Sequence, residues 1–161
     1  MSCLETQKKK EVQDVLNSGV LMRYGFDGMR QGHWKANELE KEIESQFEIQ
    51  HAQLLSSGTA AVSLALVSSG IGAGDEVIMP CFTFVASFEA IIMLGATPVI
   101  VDIDDTLTLD IDAVQAAITP KTKAIMPVHM CGSMANLEAL KSICNTYNLI
   151  LIEDACQAIG G

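Results

Sequence analysis

Hydrophobic and polar positions change in blocks along this chain, and the blocks predict alternating strands and helices. Residues 34–47 carry Leu39, Ile43 and Phe47 at intervals of four, with charged side chains on the other face, which predicts an amphipathic helix. After it, short apolar runs predict strands and longer patterned stretches predict helices. The predicted strands are residues 52–55, 76–79, 97–101, 123–126 and 149–152, and the predicted helices are residues 59–69, 84–94, 110–117 and 137–147.

The order of these elements predicts an α/β domain with a parallel sheet, because parallel neighbours need a crossover, which a helix supplies. The strands are apolar throughout, as expected when helices cover both faces of the sheet. Pro98 cannot donate a ladder hydrogen bond, which places strand 97–101 at an edge. We expect one such domain over residues 34–161, preceded by a weakly patterned lead-in segment, residues 1–33.

Composition and charge narrow the class of protein further. The chain has 161 residues, 49% hydrophobic and 19% charged, which suits one folded core and is too apolar for a disordered chain. A net charge of −10 argues against nucleic acid and an anionic membrane as partners. We see no apolar run of membrane-spanning length, no signal peptide and no Cys-x-x-Cys pair, so we expect a cytoplasmic protein.

The first group that could carry chemistry lies between strand 52–55 and the helix that follows it. The segment 56–61 reads Ser-Ser-Gly-Thr-Ala-Ala. Gly58 lets the backbone approach a ligand closely, and the free N–H groups of the helix start, with the Thr59 hydroxyl, could bind an anion. Capping of the helix by Ser or Thr explains the same residues without a ligand.

Two further groups follow strands at the sheet edge where α/β proteins bind ligands. Phe84 follows the second strand and could either stack on a flat ring or pack in the core. Asp154 follows the fifth strand. A buried carboxylate there could pair with a protonated heterocyclic nitrogen, whereas an exposed one would cap a helix. Gln157, three residues further on, could face the same way if a helical turn starts.

Two features could indicate metal or phosphoryl chemistry. A strand followed by Asp102-x-Asp104-x-Thr resembles the nucleophile motif of haloacid-dehalogenase-type phosphatases, in which the first Asp attacks phosphorus beside Mg²⁺. That motif normally opens a domain, too few residues follow it here, and Pro98 places its strand at an edge, so we prefer a solvated acidic loop. His129 has no second ligand at metal spacing, and we expect it in a loop near the mouth of the site.

Six stretches taken together resemble the DegT-type (DegT/DnrJ/StrS) family of pyridoxal-phosphate sugar aminotransferases. They occur in the order and at the spacing of that family. They are LSSGTAA at 55–61, GDEVIMP at 74–80, TF at 83–84, GATPVIVDID at 95–104, TPKTKAIMPVHMCG at 119–132 and EDACQAIG at 153–160.

The resemblance implies a fold and a set of cofactor contacts. The fold is a three-layer α/β sandwich with a mostly parallel sheet, the large domain of fold type I, here incomplete. The resemblance assigns Phe84 to stacking on the pyridine ring, Asp154 to pairing with the pyridinium nitrogen, and Gln157 to the neighbourhood of the ring hydroxyl. The resemblance assigns binding of the cofactor phosphate to three successive residues, Gly58, Thr59 and Ala60.

The resemblance also implies a reaction and a missing residue. The family transfers an amino group from glutamate or glutamine to a keto-sugar nucleotide and forms homodimers. Its Schiff-base lysine follows the Glu-Asp motif at a distance that falls beyond Gly161, and Lys121, Lys123 and Lys141 do not match it. We therefore expect an N-terminal fragment that is inactive alone and a reading frame that continues. A non-catalytic, truncated relic is the remaining alternative.

Overall fold

The computed structural model describes residues 3–30 and 32–160. The described chain divides into two compact units, one ending at Leu54 and the other beginning at Leu55. The division predicted from the sequence, into a lead-in segment of residues 1–33 and a domain of residues 34–161, remains a prediction. Among the helices of the described residues, none combines the length and the apolar character needed to cross a bilayer.

Three helices build the first unit: α1 (Cys3–Ser18), α2 (Asp27–Arg30) and α3 (Lys35–Gln46). The amphipathic pattern predicted α3 to within a residue at each end, since Trp34 and Phe47 are its caps. Helix α1 was not predicted. Its sequence, CLETQKKKEVQDVLNS, is mostly polar and has no continuous apolar stripe.

A buried carboxylate on α3 organises the chain that follows this helix. The Glu40 side chain is only 5% exposed, and its Oε1 lies 2.6 Å from Nη1 of Arg23. The same oxygen accepts a hydrogen bond of 2.7 Å from the Leu54 N–H. One helical turn on, Glu44 Oε1 accepts from the Ala52 N–H at 3.2 Å.

These two contacts explain why the predicted strand at 52–55 is wrong. Carboxylates four residues apart on a helix face the same way, and they meet amides that are two residues apart along an extended segment. Among the described residues, the segment pairs with no other strand. Apolar residues thus made it look like a strand, while its amides are bonded to side chains of α3.

The Arg23–Glu40 pair should make stability depend on pH. Hydrogen bonding from Arg23, and next from the Leu54 amide, lowers the pKa of Glu40 below its ordinary value. The unfolded chain therefore takes up this proton at a higher pH than the folded chain. The stabilisation is present above the ordinary pKa of a glutamate, about 4.3, and is lost as the pH falls through the lowered folded value.

We predict that Glu40→Gln destabilises the first unit at pH 7, and that its difference from wild type shrinks as the pH falls below about 4. Urea unfolding at pH 7 and below about pH 4 measures the free energy of unfolding of the first unit. It is followed by the fluorescence of Trp34, which lies in that unit and is the chain's single tryptophan. The exposed Glu42→Gln on the same helix is the matched control and should leave the curve unchanged. A difference between Glu40→Gln and wild type that is constant with pH would contradict the assignment.

The second unit contains a four-stranded, fully parallel sheet in the order β2-β1-β3-β4. The prediction of a parallel α/β fold is confirmed, and β2 lies at an edge as Pro98 required. Predicted and observed boundaries of these four strands differ by at most one residue at each end, and those of β2 coincide. The elements are α4 (Gly58–Ser68), β1 (Glu76–Pro80), α5 (Val85–Met93), β2 (Thr97–Val101), α6 (Ile111–Ala116), β3 (Thr122–Ile125), the 3₁₀ turn Met130–Gly132, α7 (Leu137–Tyr147) and β4 (Ile150–Leu151).

Helices cover the two faces of this sheet as separate layers. Successive strand residues point to opposite faces. In β1, Val77 and Met79 pack in a buried cluster with α4 and α5, whereas Ile78 packs in a second cluster with α6 and α7. The result is a three-layer arrangement with a core on each side of the sheet, and it leaves the carboxyl ends of the strands free to carry a site.

Backbone pairing between the third and fourth strands continues past their ends. Val128 and Asp154 form an isolated parallel bridge. The Asp154 N–H donates to the Pro127 carbonyl at 3.0 Å, and the His129 N–H donates to the Asp154 carbonyl at 3.1 Å. This extension fixes the backbone of Asp154 at the carboxyl edge of the sheet.

Candidate functional site

A cavity of about 190 Å³ lies at the carboxyl edge of the sheet in the second unit. Five residues that the sequence singled out line it: Gly58, Thr59, Phe84, Asp154 and Gln157. The sixth, Ala60, lies in the first turn of α4 but does not line the cavity. Its N–H is engaged by the Ser57 hydroxyl, which caps the helix.

Asp154 is the buried charged group of this cavity. Its Oδ2 accepts a hydrogen bond of 2.8 Å from the Ser87 hydroxyl, and its Oδ1 accepts one of 3.3 Å from the Cys156 N–H. The residues that follow form a turn and no helix, so helix capping does not explain this carboxylate. Both oxygens act as acceptors, which is the arrangement that suits an ionised carboxylate.

Phe84 lines the same cavity. It is the N-cap residue of α5 and follows the end of β1 by a few residues. Its side chain is 64% exposed, so it is not a core residue, in contrast to the alternative left open by the sequence. An exposed aromatic ring at a cavity wall is suited to stacking on a flat ligand.

The start of α4 offers amide donors at the cavity. Gly58 and Thr59 lie in the first turn, where N–H groups have no acceptor within the helix. A Cβ on Gly58 would lie 3.3 Å from the Cys156 sulfur, which shows how closely this helix start approaches the turn after Asp154. Capping by Ser57 and an anion-binding helix start are therefore compatible.

Gln157 ties a loop to this turn. Its Oε1 accepts a hydrogen bond of 2.6 Å from the Cys131 N–H. Cys131 and the following Gly132 both have positive φ, 56° and 81°, so the loop makes a tight bend there. Because the oxygen of the amide is engaged, its nitrogen is the end that can donate to a ligand.

His129 lies in the loop after β3 and lines the cavity, as the sequence led us to expect, but it is only 1% exposed, and this burial was not expected. Its Nδ1 accepts from the Ala135 N–H at 3.2 Å, which leaves Nε2 as the protonated nitrogen and donor to Glu153 Oε2, also at 3.2 Å. Because both ring nitrogens have hydrogen-bond partners, the ring can be buried at little cost. It joins the ends of β3 and β4 through side chains.

Cys156 places a thiol beside the Asp154 carboxylate. Cys156 is exposed, but partial desolvation of its thiol raises its pKa, and the charge of Asp154 and a hydrogen bond to it raise the pKa further. A thiol in such surroundings stays protonated near neutral pH and is a poor nucleophile.

The Asp-x-Asp-x-Thr motif lies elsewhere in the unit. It follows the edge strand β2, and β1 and β3 separate that strand from β4 and Asp154. Asp104 closes a turn by accepting hydrogen bonds from Thr106, and these lower its pKa. Within residues 3–30 and 32–160, no cluster of three or more His, Cys, Asp or Glu is placed to hold a metal ion. This geometry favours the solvated acidic loop over the phosphatase motif.

The fold and the cavity define a class of protein: an α/β protein with a site built on a helix start, an aromatic ring and a buried carboxylate. The chain belongs to the DegT/DnrJ/EryC1/StrS aminotransferase family, whose model matches residues 2–161. Enzymes of this family depend on pyridoxal phosphate, and similar solved structures include forms with bound pyridoxal and pyridoxamine phosphates.

Named relatives are similar in sequence and in structure. GDP-perosamine synthase of Caulobacter vibrioides is 45% identical over 124 residues, 76% of this chain and 33% of that protein. L-glutamine:2-deoxy-scyllo-inosose aminotransferase of Streptomyces kanamyceticus is 45% identical over 148 residues, 91% and 34% of the two chains. The crystal structure of DesV from S. venezuelae superposes with a TM-score of 0.89 at 38% identity, covering 98% of this chain and 40% of DesV. The chain thus spans about a third of the length of the curated relatives it matches.

Proposed function

We propose that this chain supplies the cofactor-binding face of a pyridoxal-phosphate-dependent aminotransferase that acts on a keto-sugar nucleotide. The observation that carries the proposal is the buried Asp154 carboxylate, which lies in one cavity with the exposed ring of Phe84 and the start of α4. Because the chain spans about a third of its relatives' length, the activity is proposed for a protein that contains the remaining family segments.

The residues that line the cavity suit the chemical groups of pyridoxal phosphate. The amides of Gly58 and Thr59 suit its phosphate, since a helix start favours an anion. Phe84 suits the face of the ring, and Asp154 suits the protonated ring nitrogen. The Gln157 amide nitrogen suits the ring hydroxyl. Pyridoxal phosphate, when bound, would supply an electron sink for the negative charge that develops on the carbon bearing the amino group when that carbon loses its proton.

Asp154 has two tasks in this proposal. It binds the ring nitrogen, and its negative charge keeps a proton on that atom. Burial strengthens the interaction because the surrounding dielectric is lower than that of water. Hydrogen bonds from Ser87 and from the Cys156 amide hold the carboxylate in place, so little reorganisation is needed during the reaction.

The substrates are proposed from the names of the relatives. One relative is named as a synthase of GDP-perosamine, which supports a nucleotide-linked sugar as acceptor. Another is named as an aminotransferase that uses L-glutamine, which supports glutamine, or the closely similar glutamate, as donor. A cytoplasmic homodimer is proposed with this function, as the family resemblance implies.

The proposal is tested with the full-length protein, pyridoxal phosphate, a panel of keto-sugar nucleotides and glutamine or glutamate. We expect one keto-sugar nucleotide to be converted to its amino sugar, with equal consumption of the donor, as measured by mass spectrometry. Hydrolysis of a phosphate monoester with Mg²⁺ is assayed in parallel. Phosphatase activity that Asp102→Asn abolishes, without amino transfer, would refute the proposal and favour the alternative motif.

A further inference from the structure

Ser87 donates a hydrogen bond to the Asp154 carboxylate of the cavity. Its contribution to the proposed function follows from the residues around it. Ser87 is 1% exposed, on the first turn of α5, and its amide donates to the Phe84 carbonyl at 3.1 Å. Its hydroxyl donates to Asp154 Oδ2 at 2.8 Å across 67 positions of sequence. The start of α5 therefore carries both the exposed Phe84 ring and the Ser87 hydroxyl that donates to the Asp154 carboxylate.

A second hydroxyl, that of Thr83, lies next to this hydrogen bond. Thr83 Oγ1 lies 3.2 Å from Ser87 Oγ and 3.3 Å from the Phe84 carbonyl oxygen. Ser87 has a single hydroxyl hydrogen, and an ionised carboxylate can only accept. Ser87 then donates to Asp154, so the contact between the two hydroxyls runs from Thr83 to Ser87. The single Thr83 hydrogen is shared between Ser87 Oγ and the Phe84 carbonyl.

We propose that Ser87 is a positioning residue, which, oriented by Thr83, holds the Asp154 carboxylate so that it stabilises the protonated ring nitrogen of the cofactor. The inference rests on the proposed function, since it presumes that Asp154 meets that nitrogen. Without the Ser87 hydroxyl, the Cys156 amide alone holds the carboxylate, which can then turn away from the nitrogen, and this weakens the pairing of the two charges. Through Ser87, the position of the first turn of α5 would influence whether the ring nitrogen of the cofactor stays protonated.

The test measures pyridoxamine phosphate, which binds without a covalent link. Full-length wild type and variants are titrated with the cofactor labelled with ¹⁵N in the ring, and the nitrogen chemical shift is followed against pH. Ser87→Ala should weaken binding roughly tenfold and lower the pH at which the bound ring loses its proton by about one unit. Thr83→Val should move both values in the same direction by less.

Two controls separate positioning from general loss of structure. Ser87→Thr keeps the hydroxyl and should restore the wild-type midpoint. Ser68→Ala, which removes a hydroxyl bonded to carbonyls of its own helix α4, should change neither value. If Ser87→Ala does not fold, Thr83→Val decides the question, because it leaves the Ser87–Asp154 contact in place.

An unchanged midpoint in both Ser87→Ala and Thr83→Val, or in Thr83→Val alone where Ser87→Ala does not fold, would overturn the inference and leave the proposed function intact. A wild-type protein that does not bind pyridoxamine phosphate would refute the proposed function itself, and the inference with it. A lowered midpoint with restoration by Ser87→Thr supports both.

Discussion

Asp154→Asn is expected to lower turnover of the full-length protein by roughly a hundredfold or more, which corresponds to about 2.7 kcal/mol of barrier. The amide removes the negative charge that we assign to the ring nitrogen. The proton on that nitrogen is then less stable, and the ring accepts electrons less readily. The loss should appear mainly in kcat, because the charge matters most when negative charge develops in the transition state.

The control must separate this effect from a general loss of negative charge. Asp112→Asn removes an exposed carboxylate from α6, away from the cavity, and should leave kcat within error of wild type. Steady-state kinetics on both variants, with unfolding curves to confirm that both are folded, make the comparison. A rate for Asp154→Asn within threefold of wild type would show that the carboxylate is only a structural acceptor for Ser87 and the Cys156 amide.

The central part of the sheet could be predicted from the sequence because β1 and β3 are mostly buried between the two helix layers. Apolar runs such as 77–79 have no polar face to confuse them with surface helices, and Pro98 marked the edge strand. The first unit could not be predicted in the same way. Helix α1 is mostly polar, and the apolar segment 52–55 is held by glutamates of α3 rather than by a neighbouring strand.

The part of the site that sequence predicts consists of residues marked by their position after a strand or before a helix. Asp154, Phe84 and Gly58 all have such positions, and the family resemblance added their roles. Ser87 has none, because a serine within a helix carries no local signal and its partner is 67 positions away. The sequence indicated that His129 lies near the site but not that it is buried. Its hydrogen-bond partners, Glu153 and the Ala135 amide, come close to it only in the folded chain.

The lysines of the second unit lie away from the cavity. Lys121 and Lys123 stand at the amino end of β3, whereas the cavity is at the carboxyl ends of the strands. Six residues of extended chain, about 20 Å, separate Lys123 from His129. Lys141 is exposed on α7. None of these amines is positioned to reach a carbonyl group held between Phe84 and Asp154.

We therefore expect that borohydride reduction of the 161-residue chain with pyridoxal phosphate fixes the cofactor at none of these three lysines in stoichiometric yield. Exposed amines react with any aldehyde to a small extent, so the unfolded chain treated identically sets the background. Peptide mass spectrometry after proteolysis measures the yield at each lysine. Amino transfer by this chain should be absent as well, because without a correctly placed amine the covalent step that activates the cofactor is lost. Stoichiometric labelling of Lys121, Lys123 or Lys141 that Asp154→Asn abolishes, together with amino transfer to a keto-sugar nucleotide, would overturn this assignment and make that lysine the Schiff-base residue.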